Sequence, residues 1–234
     1  GTAVEELSKA GIAVKDIQSG AAQATMTLAT AGAVNLASAA EVAANAINVF
    51  NMRGTQMAHV ADMVAGAANA TIISVEDFRA SFQMASAVMA AMNQTFDQTA
   101  VAIALMGAAG IKNSDAGTSL KTMFLSLTPT SDKARESMRT LGIITDEAGN
   151  RFYDGQGKMK SFRDIAEILR QSLEGLTDEQ KNSNLQTIFG GDAMRAALIA
   201  GKAGAAGYDK LMEAMSKTSA VDIAKTRLDN MAGS

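Results

Sequence analysis

Residues 75–92 read VEDFRASFQMASAVMAAM, and this stretch sets the fold class of the chain. Its apolar side chains recur at steps of three and four residues, which places them on one face of an α-helix. A half-buried strand would instead alternate every second residue. The residues on this face are Val75, Phe78, Phe82, Ala85, Met89 and Met92. The stretch therefore predicts an amphipathic helix.

The same spacing recurs on both sides of this helix. Apolar faces at steps of three and four run from Ala39 to Phe50, from Met57 to Ala68 and from Leu120 to Leu127. The chain also has a single proline, Pro129, against an ordinary share of about 5%, so little interrupts helix formation. Pro129 should close the helix that ends near Leu127.

Helix starts and stops are marked along the chain. A hydroxyl residue with an acceptor side chain three residues later is typical of a helix start. Such pairs are Thr95 with Gln98, Ser161 with Asp164, and Thr177 with Gln180. Glycine followed by an apolar residue is typical of a left-handed helix end. These ends are Gly11-Ile12, Gly110-Ile111, Gly142-Ile143 and Gly175-Leu176.

These stops decide between one long rod and a bundle. A single helix of 234 residues would span on the order of 350 Å at 1.5 Å per residue. The recurring stops exclude such a rod, and no heptad pattern persists long enough for a coiled coil. One stretch departs from helix: Ile143–Thr145 and Arg151–Tyr153 flank a turn at residues 146–150. We predict a mainly α fold, a multi-helix bundle of short helices with one small β-hairpin near residues 143–153.

Charge divides the chain into segments. Residues 1–130 carry 15 charged side chains and residues 131–234 carry 30. We therefore predict an alanine-rich, low-charge helical core at 1–129, a helix plus β-hairpin at 130–160, and a more charged helical part at 161–234. So few charges between residues 17 and 111 indicate a surface that must be covered, by the chain itself or by other copies or proteins.

Composition narrows the function classes. The net charge is −3 and no block of basic residues interleaved with aromatic residues occurs, so no specific nucleic-acid motif is present. The chain has no cysteine, which removes thiolate chemistry and disulfides. No Gly-x-Ser-x-Gly motif occurs either. The composition favours a structural protein over an enzyme.

Individual residues that could carry chemistry have simpler explanations. His59 is the only histidine, and Asp62, one turn later, is the nearest carboxylate in the sequence. This spacing allows a local hydrogen bond, and we interpret His59 as a structural residue, since lone histidines on helices are usually surface or capping residues. Asp146, Asn150 and Asp154 lack the order of a calcium loop, so a hairpin turn accounts for them.

Glycines and paired acids are also explained structurally. The glycines at 190, 191, 201, 204 and 207 lack the strand-to-helix context of a phosphate loop and indicate helix ends or close helix contacts. Paired acids such as Glu5-Glu6 and Asp178-Glu179 lie at helix starts, where solvated charge is ordinary. We assign no catalytic, cofactor-binding or metal-ligating residue and expect no cofactor.

An ordered series of short motifs resembles one known family. The series comprises Leu7–Ile12, Ala39–Phe50, Ala58–Asp62, Ser74–Phe78, Thr99–Lys112, Ala116–Leu120, Leu141–Ile143, Leu176–Gln180, Ile188–Gly190, Leu211-Met212 and Leu228-Asp229. It resembles the core region of the tape measure proteins of tailed bacteriophages and covers nearly the whole chain. Each motif is weak alone, and the order makes the resemblance specific.

The resemblance implies a structural component of a bacteriophage or prophage tail. Such a protein is made in the host cytoplasm, occupies the tail lumen or tip, sets tail length and is released ahead of the DNA. The implied partners are other copies of the chain, tail tube and tail-tip or baseplate proteins, tail assembly chaperones and, during ejection, the host membrane. The resemblance places the present segment in the compact core, with a longer helical ruler region outside it.

A membrane-active helical protein that assists genome passage is the alternative. Thr99–Ile111 is apolar but shorter than the roughly 20 residues that a spanning helix requires. The uncharged stretch from Ile17 to Ala40 is rich in Gln, Thr, Ser and Asn. A cell-wall hydrolase is a third possibility, and it lacks a base, a metal set and a nucleophile within this sequence.

Overall fold

The computed structural model describes every residue from Gly1 to Ser234 and shows a bundle of short helices. The first half contains α1 (Ala3–Lys9), α2 (Val14–Asp16), a π-helical turn (Ile17–Ala21), α3 (Ala22–Gly32), α4 (Leu36–Phe50), a 3₁₀ turn (Gly54–Gln56), α5 (Met57–Ala70), α6 (Val75–Ala91), α7 (Phe96–Ala108) and α8 (Asn113–Leu125). The second half contains α9 (Asp132–Thr140), β1 (Ile144–Thr145), β2 (Gly149–Asn150), α10 (Phe162–Leu173), α11 (Asp178–Ser216) and α12 (Ala220–Ala232). The predicted fold class is confirmed.

The helix starts follow the predicted side-chain chemistry. Thr95 and Thr177 each accept the backbone N–H of the glutamine three residues later, and that glutamine accepts the N–H of the threonine in return. Ser161 accepts the N–H of Asp164 at 3.2 Å. Each contact satisfies backbone donors that have no partner inside the helix.

The helix ends also follow the predicted chemistry. Gly11, Gly110, Gly142 and Gly175 all have positive φ, the left-handed conformation that glycine adopts at little cost. After each of these glycines the next residue donates its N–H back into the preceding helix, as Ile143 does to the Met138 carbonyl at 2.8 Å. Pro129 lies shortly after α8, which ends at Leu125. The bundle therefore reverses direction where the sequence indicates.

The longest helix, α11, is not straight. Gly190 (φ 75°, ψ 176°) and Gly204 (φ 60°, ψ −167°) interrupt its helical backbone, so its 39 residues form three consecutive rods. These rods pack on α10, α8, α5, α7 and α9. The glycine positions singled out in the sequence thus let α11 wrap around the bundle.

The structure contains the small hairpin, but its second strand lies earlier in the sequence than we predicted. Ile144 pairs with Asn150 and Thr145 with Gly149, whereas we expected Arg151–Tyr153 to form that strand. Gly149 has φ 63° and Ala148 N–H donates to Thr145 Oγ1, so the chain turns earlier than expected. Phe152 then leaves the hairpin for the core, where it is fully buried.

One connected core holds the bundle together. It contains 62 buried apolar residues that extend from Leu7 to Ala224. Phe78 and Phe82 of α6 are fully buried, and the Phe82 ring meets Phe96 edge-on at 5.5 Å between centroids. Because α11 packs on α5, α7 and α8, much of the weakly charged first half is covered by the chain itself. The division of the chain into three segments, with boundaries after residues 129 and 160, remains a prediction.

Candidate functional site

The only histidine lies at a groove between two helix starts. His59 is in the first turn of α5 and Asp97 is in the first turn of α7, and His59 Nε2 lies 2.7 Å from Asp97 Oδ1. The local bond between His59 and Asp62 that the spacing allows is not the one that forms. Asp62 faces α12 instead, where its Oδ1 accepts the N–H of Ala220 at 2.8 Å. That N–H lies in the first turn of α12, where backbone donors lack a partner within the helix.

The groove beside His59 has a volume of about 540 Å³ and a mixed lining. Phe50 and Met52 supply apolar surface, and Gln56, Gln94 and Asp97 supply polar atoms. The imidazole is half exposed, and its hydrogen bond runs to Asp97. A histidine that activates a serine or cysteine nucleophile is hydrogen-bonded to that hydroxyl or thiol, whereas His59 is bonded to a carboxylate. The geometry shown here ties α5 to α7.

The three polar residues near the hairpin do not converge on one point. Asp146 pairs with Arg139 at 3.1 Å, and Asn150 donates its side-chain amide to the Leu127 carbonyl at 2.9 Å. Asp154 Oδ1 accepts the N–H groups of Gln156 at 2.8 Å and Lys158 at 2.9 Å. These bonds lower the pKa of Asp154, those from Lys158 and Gln156 being the largest causes. The segment after Asp154 is thus a hydrogen-bonded turn.

The glycines of α11 lie at breaks and helix contacts. A Cβ on Gly201 would lie 3.1 Å from Leu173 Cδ1, so α10 and α11 approach closely there. Gly204 faces Glu167 and Arg170 of α10. Gly190 and Gly191 have open space where a Cβ would be. The paired acids stay at helix starts: Glu5 completes the cap with Thr2, and Asp178 and Glu179 occupy the first turn of α11.

Three long-range polar contacts fasten the bundle, and sequence reasoning missed all three. Arg195 of α11 donates to both Asp115 carboxylate oxygens, at 2.9 and 2.7 Å, and to Ser119 Oγ at 2.8 Å. The Arg195 hydrogen bonds lower the pKa of Asp115. A similar two-bond pair joins Arg163 to Asp209, at 2.8 Å each, and lowers the pKa of that carboxyl.

The third contact is a buried glutamine. Gln94 accepts the N–H of Phe162 at 2.7 Å and donates to the Lys160 and Met92 carbonyls at 2.9 Å each. It lies in the turn between α6 and α7 and so holds the start of α10 against it. No local pattern distinguishes Gln94 from the exposed glutamines, because two of its three partners, Lys160 and Phe162, lie more than sixty residues away.

Two further titrating groups lie along α10 and α11. The hydrogen bond from Arg170 is the largest cause that lowers the pKa of Glu167 from 4.5 to about 2. Burial, together with the charges of Asp97 and Asp209, raises the pKa of Tyr208 to about 12. The tyrosine ring packs on Phe162 at 6.1 Å between centroids. The Glu167–Arg170 pair lies within α10, and the contacts between α10 and α11 here are the Tyr208 ring on Phe162 and the Ala205 N–H that Glu167 accepts at 3.4 Å.

Only two consecutive helices taken together, with a bend between them, reach the length and apolar composition of a membrane span. No single helix has the length and apolar composition to cross a bilayer. Residues Gly54–Ala70 and Val75–Ala91 meet that test together, with an angle of 117° between them. The shorter apolar helices are Leu36–Phe50 and Phe96–Ala108.

The fold and its contacts define a mainly helical bundle with one small β-hairpin. Residues 1–190 match the family of phage-related minor tail proteins, and the chain belongs to that family. Membership places the chain among proteins of the phage tail. No solved structure matches the chain.

Two curated relatives align along nearly all of the chain. The tape measure protein of Pneumococcus phage Dp-1 is 30% identical over 231 residues, which cover 98% of this chain and 19% of that protein. The probable tape measure protein of Escherichia phage P2 is 25% identical over 232 residues, which cover 97% of this chain and 28% of that protein. The chain thus spans 19% and 28% of the length of the two relatives it matches.

Proposed function

We propose that this chain is the compact helical core of a tape measure protein, a virion component that sets tail length, occupies the tail lumen or tip and leaves ahead of the DNA. The observation that carries the proposal is the 30% identity to a tape measure protein across 98% of the chain. The glycine stops support the core rather than the ruler, because a ruler requires an extended helix and these stops fold the chain back.

We also propose that the segment is not an enzyme and that it acts by binding other proteins of the phage tail and the host membrane. The partners are tail tube and tail-tip or baseplate proteins, tail assembly chaperones, other copies of the chain and the host membrane during ejection. Within the chain, residues 1–129, 130–160 and 161–234 form the low-charge core, the hairpin segment and the charged helical part. The last part leads toward a ruler region.

The test uses the phage that encodes the chain. In-frame deletions of about 50 residues in the same protein, outside residues 1–234, should shorten tails by roughly 75 Å, at 1.5 Å per residue of helix. Tail lengths are measured by electron microscopy of purified virions. The matched control exchanges the same residues for an equal length of unrelated helical sequence and should leave the length unchanged. Tails of unchanged length after deletion would overturn the proposal.

A further inference from the structure

The break at Gly190 leaves a cleft between the first two rods of α11. A straight helix would hold Asn182 and Leu198 roughly 24 Å apart, at 1.5 Å per residue. In the structure both residues line one cleft of about 640 Å³, and the end of α10 lines it as well. We call this space the α11 cleft. Its volume lies in the range of sites that hold small ligands, about 300–1,000 Å³.

Part of the α11 cleft is apolar. Leu173 of α10 is buried, and Leu198 of α11 is half-buried. Gly201 also lines the cleft, and a Cβ there would lie 3.1 Å from Leu173 Cδ1, so the second rod lies close to α10. The two leucines therefore offer apolar contact for one side chain of an occupant.

The polar part of the cleft holds cationic donors without a partner. Lys181 on the first rod and Lys202 on the second form no ion pair within the chain. Arg170 of α10 donates to Glu167 through Nε at 2.7 Å and through Nη2 at 2.9 Å. Its Nη1 has only Glu174 nearby, at 4.0 Å. The Arg170 guanidinium is thus held in place by Glu167 while Nη1 remains able to donate.

The charges of the lining indicate how many negative charges an occupant carries. Arg170, Lys181 and Lys202 supply three positive charges, and Glu174 and Asp178 supply two negative ones. The surplus of one positive charge matches a single carboxylate. A phosphate with two charges, or a run of acidic residues, would be repelled by the two carboxylates of the lining.

The end of a protein chain combines the two features that the cleft requires. Its terminal carboxylate carries one negative charge, and the side chain of the last residue is attached to the neighbouring carbon atom. Both groups therefore fit into one small space, the carboxylate beside the cations and an apolar side chain beside the leucines.

We propose that the α11 cleft binds the C-terminus of another protein whose last residue is apolar. Lys181, Lys202 and Arg170 Nη1 donate hydrogen bonds to the terminal carboxylate. The last side chain of the partner packs on Leu173 and Leu198.

A synthetic peptide tests the cleft in the intact chain. The probe is a short glycine- and serine-rich peptide, fluorescently labelled at its N-terminus, that ends in leucine with a free carboxylate. It should bind about tenfold or more tightly than the same peptide with a C-terminal amide, as measured by fluorescence anisotropy. A peptide that ends in serine with a free carboxylate should bind several-fold more weakly than the leucine peptide, because it loses the apolar contact.

Matched lysine variants separate the cleft from general attraction of anions. The double variant Lys181→Gln, Lys202→Gln should abolish the preference for the free carboxylate over the amide. The control variant Lys210→Gln, Lys225→Gln removes two other lysines without ion pairs, outside the cleft, and should keep the preference. Thermal unfolding followed by circular dichroism should be the same for both variants.

Three results would overturn the proposal. The first is equal affinity for the free carboxylate and the amide, and the second is no binding of either peptide up to about 1 mM. The third is displacement of the peptide by inorganic phosphate at an equal concentration, which would assign the cleft to a small anion.

Discussion

Gly66 of α5 lies directly against the backbone of Met215 in the last rod of α11. A Cβ built on Gly66 would stand 2.5 Å from the Met215 carbonyl oxygen and 3.0 Å from its Cα. Backbone atoms cannot rotate aside as a long side chain does. The close approach therefore fixes the end of α11 against the first half of the chain.

Gly66→Ala should destabilise the protein. Overpacking against a fixed backbone costs about 1–3 kcal/mol, whereas alanine recovers at most about 1 kcal/mol of helix propensity. We expect a melting temperature lower by a few degrees, measured by differential scanning calorimetry. Gly191→Ala in α11 is the matched control, since no atom lies within 4 Å of the added Cβ. Equal or higher stability of Gly66→Ala would contradict the described contact.

Acid should weaken the bundle through its carboxylates. The pKa of Glu167 is lowered from 4.5 to about 2 in the folded protein, and the pKa values of Asp115, Asp154 and Asp209 are also lowered. A lowered folded pKa means that stabilisation is complete above the unfolded value and is lost as the pH falls through the folded one. The urea midpoint should therefore decrease between about pH 5 and pH 2.5. The urea midpoint of the Glu167→Gln variant should decrease less steeply over the same pH range. A wild-type midpoint that does not depend on pH would exclude this linkage.

Substitution of the buried Gln94 should lower the stability of the protein more than substitution of an exposed glutamine. Gln94→Leu leaves the Phe162 N–H and two carbonyls without their partner, at a cost of about 1–3 kcal/mol. Gln186→Leu, on the exposed side of α11, should change stability by no more than about 0.5 kcal/mol. Urea titration of both variants compares them directly. Equal effects at the two positions would mean that the Gln94 contacts contribute nothing.

Local chemistry explains which features were predictable from the sequence. The caps at Thr95 and Thr177 and the glycine ends at Gly110 and Gly142 each depend on residues within about five positions. The positions of these helix starts and ends could be predicted because no distant part of the chain competes for those hydrogen bonds.

Distance in the chain explains what was missed. His59 and Asp97 are 38 residues apart, and Arg195 and Asp115 are 80 apart, so only the packed bundle brings them together. The second hairpin strand was misplaced for a related reason. Phe152 has a strand-like pattern in the sequence, but burial in the core outweighs strand pairing.

A hydrogen bond between residues far apart in the sequence joins α12 to α5. Ala220 N–H donates to Asp62 Oδ1 across 158 residues and fastens the start of α12 to α5. Asp62→Leu removes that acceptor, so the amides of α12 should exchange hydrogen several-fold faster, while those of α6 and α7 keep their protection. Asp62→Asn retains a side-chain oxygen at the same place and should preserve slow exchange in α12. If Asp62→Leu left α12 exchange unchanged, packing of Ala220 and Ala224 alone would hold this helix.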